Sequence, residues 1–153
     1  VVNQRDNLVP DHTDLPPDEL DLVKEGGNYG WPTAYPDGNK RLANPEFPGA
    51  PVTGFLPTTL NIPAHSAPLE IALDSKTGTL FIAYQGSWNR VPPTGYKVVR
   101  VDLGTGKPKA PEDFVTGWLA DRVLAHPIGV ALGPDASLYV SDDSGNIFKV
   151  SKS

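Results

Sequence analysis

The sequence predicts an all-β fold, a partial β-propeller of about two and a half to three blades, each a four-stranded antiparallel sheet. Three observations predict it. The first is an internal repeat: Pro68-Leu69-Glu70-Ile71-Ala72-Leu73-Asp74 is matched by Pro127-Ile128-Gly129-Val130-Ala131-Leu132-Gly133, about 59 positions later. The second is the shape of the apolar runs, short and rich in β-branched and aromatic residues, as strands are. The third is punctuation: 17 Pro and 15 Gly among 153 residues mark many turns without reaching the share of about 25–30% that signals low complexity. A single small sheet repeated every 40–60 residues or so is what a propeller blade leaves in a sequence.

The chain reads as one domain over residues 1–153, in four stretches. Residues 1–31 are an incomplete blade. Val1-Val2-Asn3 matches the second strand of the repeat (Tyr139-Val140-Ser141), Asp6-Asn7 matches the turn after it, and Leu20-Asp21-Leu22-Val23 matches the third strand. Residues 32–64, dense in Pro and Gly with little periodicity, read as a long loop across one face. Residues 65–118 are the complete blade. After the first strand and the turn Ser75-Lys76-Thr77-Gly78 come Leu80-Phe81-Ile82-Ala83, a loop, Val99-Arg100-Val101, and an outermost strand within Asp113–Trp118. Residues 126–153 repeat the pattern through Leu138-Tyr139-Val140-Ser141 and Phe148-Lys149-Val150 and lack an outer strand. Open sheet edges invite pairing, so the remaining blades are expected from the same polypeptide or from self-association.

Composition narrows function by exclusion. The net charge of −5 opposes nucleic-acid binding, which relies on Lys and Arg neutralising phosphates. No run of about 18 apolar residues is present, so no membrane-spanning helix is expected. With no Cys, disulfides and thiolate metal sites are ruled out. Gly104-Thr105-Gly106-Lys107 lacks the leading Gly and the following Ser/Thr of a phosphate loop, Gly26–Gly30 is no dinucleotide fingerprint, and no G-x-S-x-G elbow occurs.

The chemistry-bearing stretch is Tyr84-Gln85-Gly86-Ser87-Trp88-Asn89-Arg90, which leaves one strand before Pro92-Pro93-Thr94-Gly95-Tyr96 leads into the next. A turn needs Gly, Pro or Asn, but not an indole beside a fixed positive charge. An indole offers a stacking face and a guanidinium a rigid donor fork, so the loop suits a planar or anionic ligand. His126, before Pro127, is either a ligand contact or a strand-entry residue. His65, among small residues, reads as structural or exposed because no second ligand stands at metal spacing. The acidic stretch Asp11, Asp14, Asp18, Glu19, Asp21, Glu25 offers hard oxygens, but its spacing is not that of an EF-hand, and it reads first as a solvated loop. Asp142-Asp143-Ser144-Gly145-Asn146 reads as a hairpin turn.

Several segments together resemble the C-terminal half of sorbosone/glucose dehydrogenases, soluble quinoproteins that use pyrroloquinoline quinone (PQQ). They are Lys24-Glu25-Gly26-Gly27-Asn28-Tyr29-Gly30-Trp31-Pro32, Pro63-Ala64-His65-Ser66-Ala67-Pro68, Gly86-Ser87-Trp88-Asn89-Arg90, Pro93–Val99 and Ser137–Asp143. The resemblance spans nearly the whole chain, in order. It implies a six-bladed propeller, periplasmic or secreted, in which calcium helps hold the quinone and a sugar or aldehyde substrate gives up hydride. It implies cofactor contacts at Trp88, Asn89, Arg90 and His126, and calcium contacts in the loop Asp6-Asn7-Leu8, partly through backbone carbonyls. Two positions depart from the family's pattern: His126 stands where Arg is usual, and Gln85 where His is frequent. Histidine is neutral in part at pH 7, so a quinone carboxylate would lose a permanent counter-charge there. The family's catalytic His belongs to the other half, so the 153 residues alone are expected to be inactive or nearly so. Two rival readings remain: a non-catalytic propeller serving as a binding module, and a calcium-dependent hydrolase of the lactonase type. The second needs inward carboxylates, and the runs Ile71–Asp74 and Val130–Gly133 supply only Asp74.

Overall fold

Apolar runs such as Thr79–Tyr84 show no polar alternation, which marks strands covered on both faces. The chain satisfies this by stacking sheets side by side. The structure is a computed structural model that describes residues 15–38, 40–88, 90–105 and 107–151. Among these residues there are eleven strands and no helix.

The complete blade is a four-stranded antiparallel sheet in the order β5 (Pro68–Asp74), β6 (Thr79–Tyr84), β7 (Lys97–Asp102), β8 (Glu112–Val115). The last sheet has three strands, β9 (Pro127–Leu132), β10 (Leu138–Asp142) and β11 (Ile147–Val150), with β10 in the middle. Strand order follows chain order in both, as in consecutive propeller blades. Side chains of β6 alternate between two cores. Phe81 and Ala83 join Val98, Tyr96, Val130, Leu138 and Val140 between the two sheets. Leu80, Ile82 and Tyr84 join Val99, Val101, Leu20 and Ile62 on the opposite side. Ile82 and Val98 are completely buried. Trp118 leaves the end of the complete blade and lays its ring 5.3 Å from that of Phe148, fastening it to the next one. The fold is thus all-β and an arc of a β-propeller.

The N-terminal part differs from its reading in two places. The segment read as a long loop contains a hairpin, β2 (Ala34–Asp37) with β3 (Lys40–Ala43), and a further strand, β4 (Leu60–Ile62), paired with β1 (Asp18–Leu20). Pro36 inside β2 and the brevity of all three strands hide any two-residue period, and Pro is tolerated because a two-stranded hairpin is all edge. Arg41 of the hairpin ties it down, donating to Glu19 Oε1 at 2.7 Å, to Thr58 Oγ1 at 2.9 Å and to the Leu56 carbonyl. Likewise the strand expected at Leu20–Val23 is found at Asp18–Leu20. Leu22 has already left the ladder: its N–H donates to Thr59 Oγ1 and its carbonyl accepts from Tyr29 Oη, so Leu22 and Val23 point outward.

Candidate functional site

The link between β6 and β7 continues their hydrogen bonding past the strand ends. Gln85 N–H donates to the Ala67 carbonyl and Gly86 N–H to the Ser66 carbonyl, both at 3.0 Å. Ser87 and Thr94 then pinch the loop shut: Ser87 N–H donates to the Thr94 carbonyl, and Thr94 N–H to Ser87 Oγ, each at 2.9 Å. Trp88 and residues 90–93 lie beyond that clasp. Its neck is unusually thin, since a Cβ on Gly95 would lie 2.6 Å from Gly86 Cα. Only glycine permits such an approach, and Gly86 and Gly95 have positive φ, 111° and 87° respectively.

Tyr96 fills the space beneath. Its ring lies where a Cβ of Gly86 would be, 2.5 Å from that point. Its hydroxyl donates to the Ser87 carbonyl in a buried hydrogen bond. The same ring meets the imidazole of His126, centroids 5.2 Å apart and planes tilted by 59°. Tilted aromatic contacts of this kind are favourable. Tyr96 therefore joins the Trp88–Arg90 loop of one blade to the entry of the next. Nothing in the sequence reading assigned Tyr96 a role. The signal was available in the paired glycines at either end of the loop, which require close backbones and so a filler.

Arg90 is half-buried and turns back toward the segment entering β5, its Nη1 donating to the Ala64 carbonyl at 2.9 Å. Trp88 stands out at the tip, 79% exposed. His126 is half-buried, and its carbonyl accepts from Asp143 N–H at 3.2 Å. The structure thus brings Trp88, Arg90 and His126 to one end of the strands; Asn89 lies outside the described residues, as do Asp6, Asn7 and Leu8. His65 is buried, in keeping with a structural role. Asp142 is the hairpin residue expected: its Oδ1 accepts from Ser144 N–H and Asn146 N–H, and its Oδ2 from Asn146 Nδ2. These bonds, the Asn146 side chain first, hold its carboxyl below the usual carboxylate range. Of the acidic stretch, Asp18 and Glu19 are buried, not solvated. Burial, and then the charge of Glu19, push the Asp21 carboxyl upward.

No group of three or more His, Asp or Glu placed to hold a metal occurs among the described residues. Asp74 does not point to a hydrolase centre: it sits at the far end of β5, where its carboxylate accepts from Lys76 N–H and Thr77 Oγ1 and caps the turn. What the Arg90 end does offer is a permanent cation, an outward indole and an aromatic pair on one rim. That set fits a planar, polyanionic group, which takes a stacking surface and a guanidinium fork.

Comparison with known proteins gives this rim a context. A family model described as TrAA12-like matches residues 53–153, which include both blades and every described rim residue. The PQQ-dependent pyranose dehydrogenase of Coprinopsis cinerea is 34% identical over 117 residues, covering 61% of this chain and 16% of that protein. The PQQ-dependent sugar dehydrogenase of Hypocrea jecorina is 26% identical over an alignment covering all of this chain and 43% of that protein. Among solved structures, the calcium structure of the Trichoderma reesei carbohydrate-active enzyme of family AA12 superposes with a TM-score of 0.76 at 28% identity, covering all of this chain and 47% of that one. The chain spans less than half the length of each of these relatives. Since the matched region takes in the complete blade, the last sheet and the loops between them, the chain belongs to the TrAA12-like family.

Proposed function

We propose that the chain is the C-terminal portion of a PQQ- and calcium-dependent sugar dehydrogenase, of the aldose or sorbosone type, and that it contributes loops to the cofactor face without supplying the catalytic base. The single observation that carries this reading is the convergence of Arg90, Trp88 and His126 at one end of two adjacent blades, joined through Tyr96. PQQ, when bound, is the hydride acceptor. Arg90 would neutralise and orient one of its carboxylates, with Asn89 beside it. Trp88 would shape the pocket mouth and keep water from the sugar. His126 would offer a hydrogen bond. Asp6, Asn7 and Leu8 are the proposed calcium contacts. The compartment that goes with this reading is periplasmic or secreted; a chain without cysteine suits export, where stray thiols are a hazard.

Titration of the 153-residue chain with PQQ in the presence of calcium, followed by tryptophan quenching, tests the reading. We expect saturable binding, weakened at least ~10-fold by Arg90→Ala, because a charge-assisted hydrogen bond contributes about 1.5–3 kcal/mol. We expect no sugar turnover by the chain alone. Robust glucose oxidation by the purified chain would show that a base is present after all. Absence of quinone binding at millimolar concentration would favour a non-catalytic binding module, the reading to which His126 in place of Arg lends support.

A further inference from the structure

The carbonyl that receives Arg90 belongs to a strained corner. In the link from β4 to β5, His65 and Ala67 have φ of 64° and 50°. Non-glycine residues adopt this region at a cost and keep it only where their surroundings hold them there. Here the surroundings are specific. His65, Ser66 and Ala67 are all buried. The Ser66 and Ala67 carbonyls accept from Gly86 N–H and Gln85 N–H. The Ala67 N–H donates to Asp18 Oδ2 at 3.0 Å. Asp18 is fully buried and comes from β1, which pairs with β4 in a separate sheet. A buried carboxylate is costly to keep unless it makes good hydrogen bonds, and an apolar residue at position 18 would leave the Ala67 N–H without an acceptor. The charge of Asp18 is also felt by Tyr84, which ends β6 next to the corner: burial first, then Asp18, raise its hydroxyl well above the ordinary range, so Tyr84 stays neutral.

We infer that Asp18 is a positioning residue for Arg90: by accepting from Ala67 N–H it fixes the His65–Ala67 corner, and so the Ala64 carbonyl on which the Arg90 guanidinium rests. The value of this for the cofactor rests on the functional reading above; the structural coupling does not. It crosses from one sheet to the next, so the N-terminal strand sets the direction of a charge on the complete blade.

Amide exchange and arginine-detected NMR on the 153-residue chain test the coupling, with the Arg90 Nε–H signal identified by its absence in Arg90→Lys. Asp18→Ala is expected to lower the protection of the Gln85 and Gly86 amides at least ~10-fold, as local opening does, and to broaden or shift the Arg90 signal. The Tyr139 and Val140 amides of β10 should keep theirs. Asp18→Asn retains an acceptor oxygen and is expected to behave as the parent. Unchanged Gln85 and Gly86 protection in Asp18→Ala, or loss of the Arg90 signal in Asp18→Asn, overturns the inference; if Asp18→Ala does not fold, Asp18→Asn decides it alone. In a PQQ titration, Asp18→Ala should weaken binding and add nothing further to Arg90→Ala, since the two act through one contact. If the parent binds no PQQ while the exchange pattern holds, the functional reading fails and the positioning role stands.

Discussion

Gly86 concentrates the demands that the candidate site makes on a single residue. Its φ of 111° is foreign to L side chains, and a Cβ there would lie 2.5 Å from the Tyr96 ring, the ring that carries both the Ser87 hydrogen bond and the His126 contact. Gly86→Ala therefore combines backbone strain of about 1–3 kcal/mol with overpacking of a similar size. We expect a loss of about 3 kcal/mol in urea unfolding, with quinone binding weakened further than stability alone explains. A loss under about 1 kcal/mol would mean that Tyr96 can move aside, and that it does not hold the loop to the neighbouring blade. Arg90 is constrained by a neighbour of a different kind, a backbone carbonyl, so its replacement by Lys would keep the charge and lose the planar fork.

At the scale of strands and turns, the hairpins of the last sheet are stapled by charge. Asp135, in the turn between β9 and β10, accepts from Lys149 Nζ of β11 at 2.8 Å. That bond first, and then those from Ser137, hold its carboxyl at about 2 against an ordinary 3.8. A carboxylate depressed on folding adds stability that is present above its unfolded value and is lost as pH falls through its folded value. The advantage of the parent over Lys149→Met should thus be constant from neutral pH down to about pH 4 and fade between about pH 4 and pH 2. Urea midpoints across that range check it, and an advantage that persists undiminished at pH 2 would mean the pair is not what stabilises the turn. High salt should shrink the advantage, because both groups are exposed. The same sheets show which elements the sequence makes legible. Leu80–Ala83 feeds a core on each face of its sheet, so its apolarity is unbroken and it reads as a strand. Leu138–Ser141 puts Leu138 and Val140 into one core, and its apolar alternation reads as a strand too. The β2–β3 hairpin does not, because Pro36 interrupts its pattern and it is tied down by contacts distant in sequence, such as the Arg41–Glu19 ion pair. The site divides in the same way. Trp88 and Arg90 stand out by residue type, whereas Tyr96, Ala64 and Asp18 act through packing and backbone contacts that span many residues of sequence.

For the whole molecule, the decisive feature is what the arc leaves uncovered. Each sheet of a propeller is covered by two neighbours. The last sheet turns one face to the complete blade, and on its outer strand Ile147 is 73% exposed. On the opposite flank, Leu69, Ile71 and Leu73 form a row along β5, each at least 42% exposed. Ile71 opens onto an apolar groove of about 380 Å³ that it shares with Leu20, Leu22, Leu80, Leu103 and Pro108. Such rows attract another apolar surface, and an edge such as that of β11, which has no strand on its outer side among the described residues, attracts another strand. By itself the 153-residue chain is accordingly expected to self-associate. Sedimentation velocity should show mass rising with concentration over the micromolar range, and Ile71→Lys with Leu73→Lys should reduce it without lowering the urea midpoint, since neither side chain contributes to either core. If the remaining blades come from the same polypeptide, extending the chain by them should abolish association in the parent and make Ile71→Lys destabilising, because the lysine would then be buried without a partner. A parent chain that stays monomeric at high concentration, with the row intact, would show that the β5 flank needs no cover.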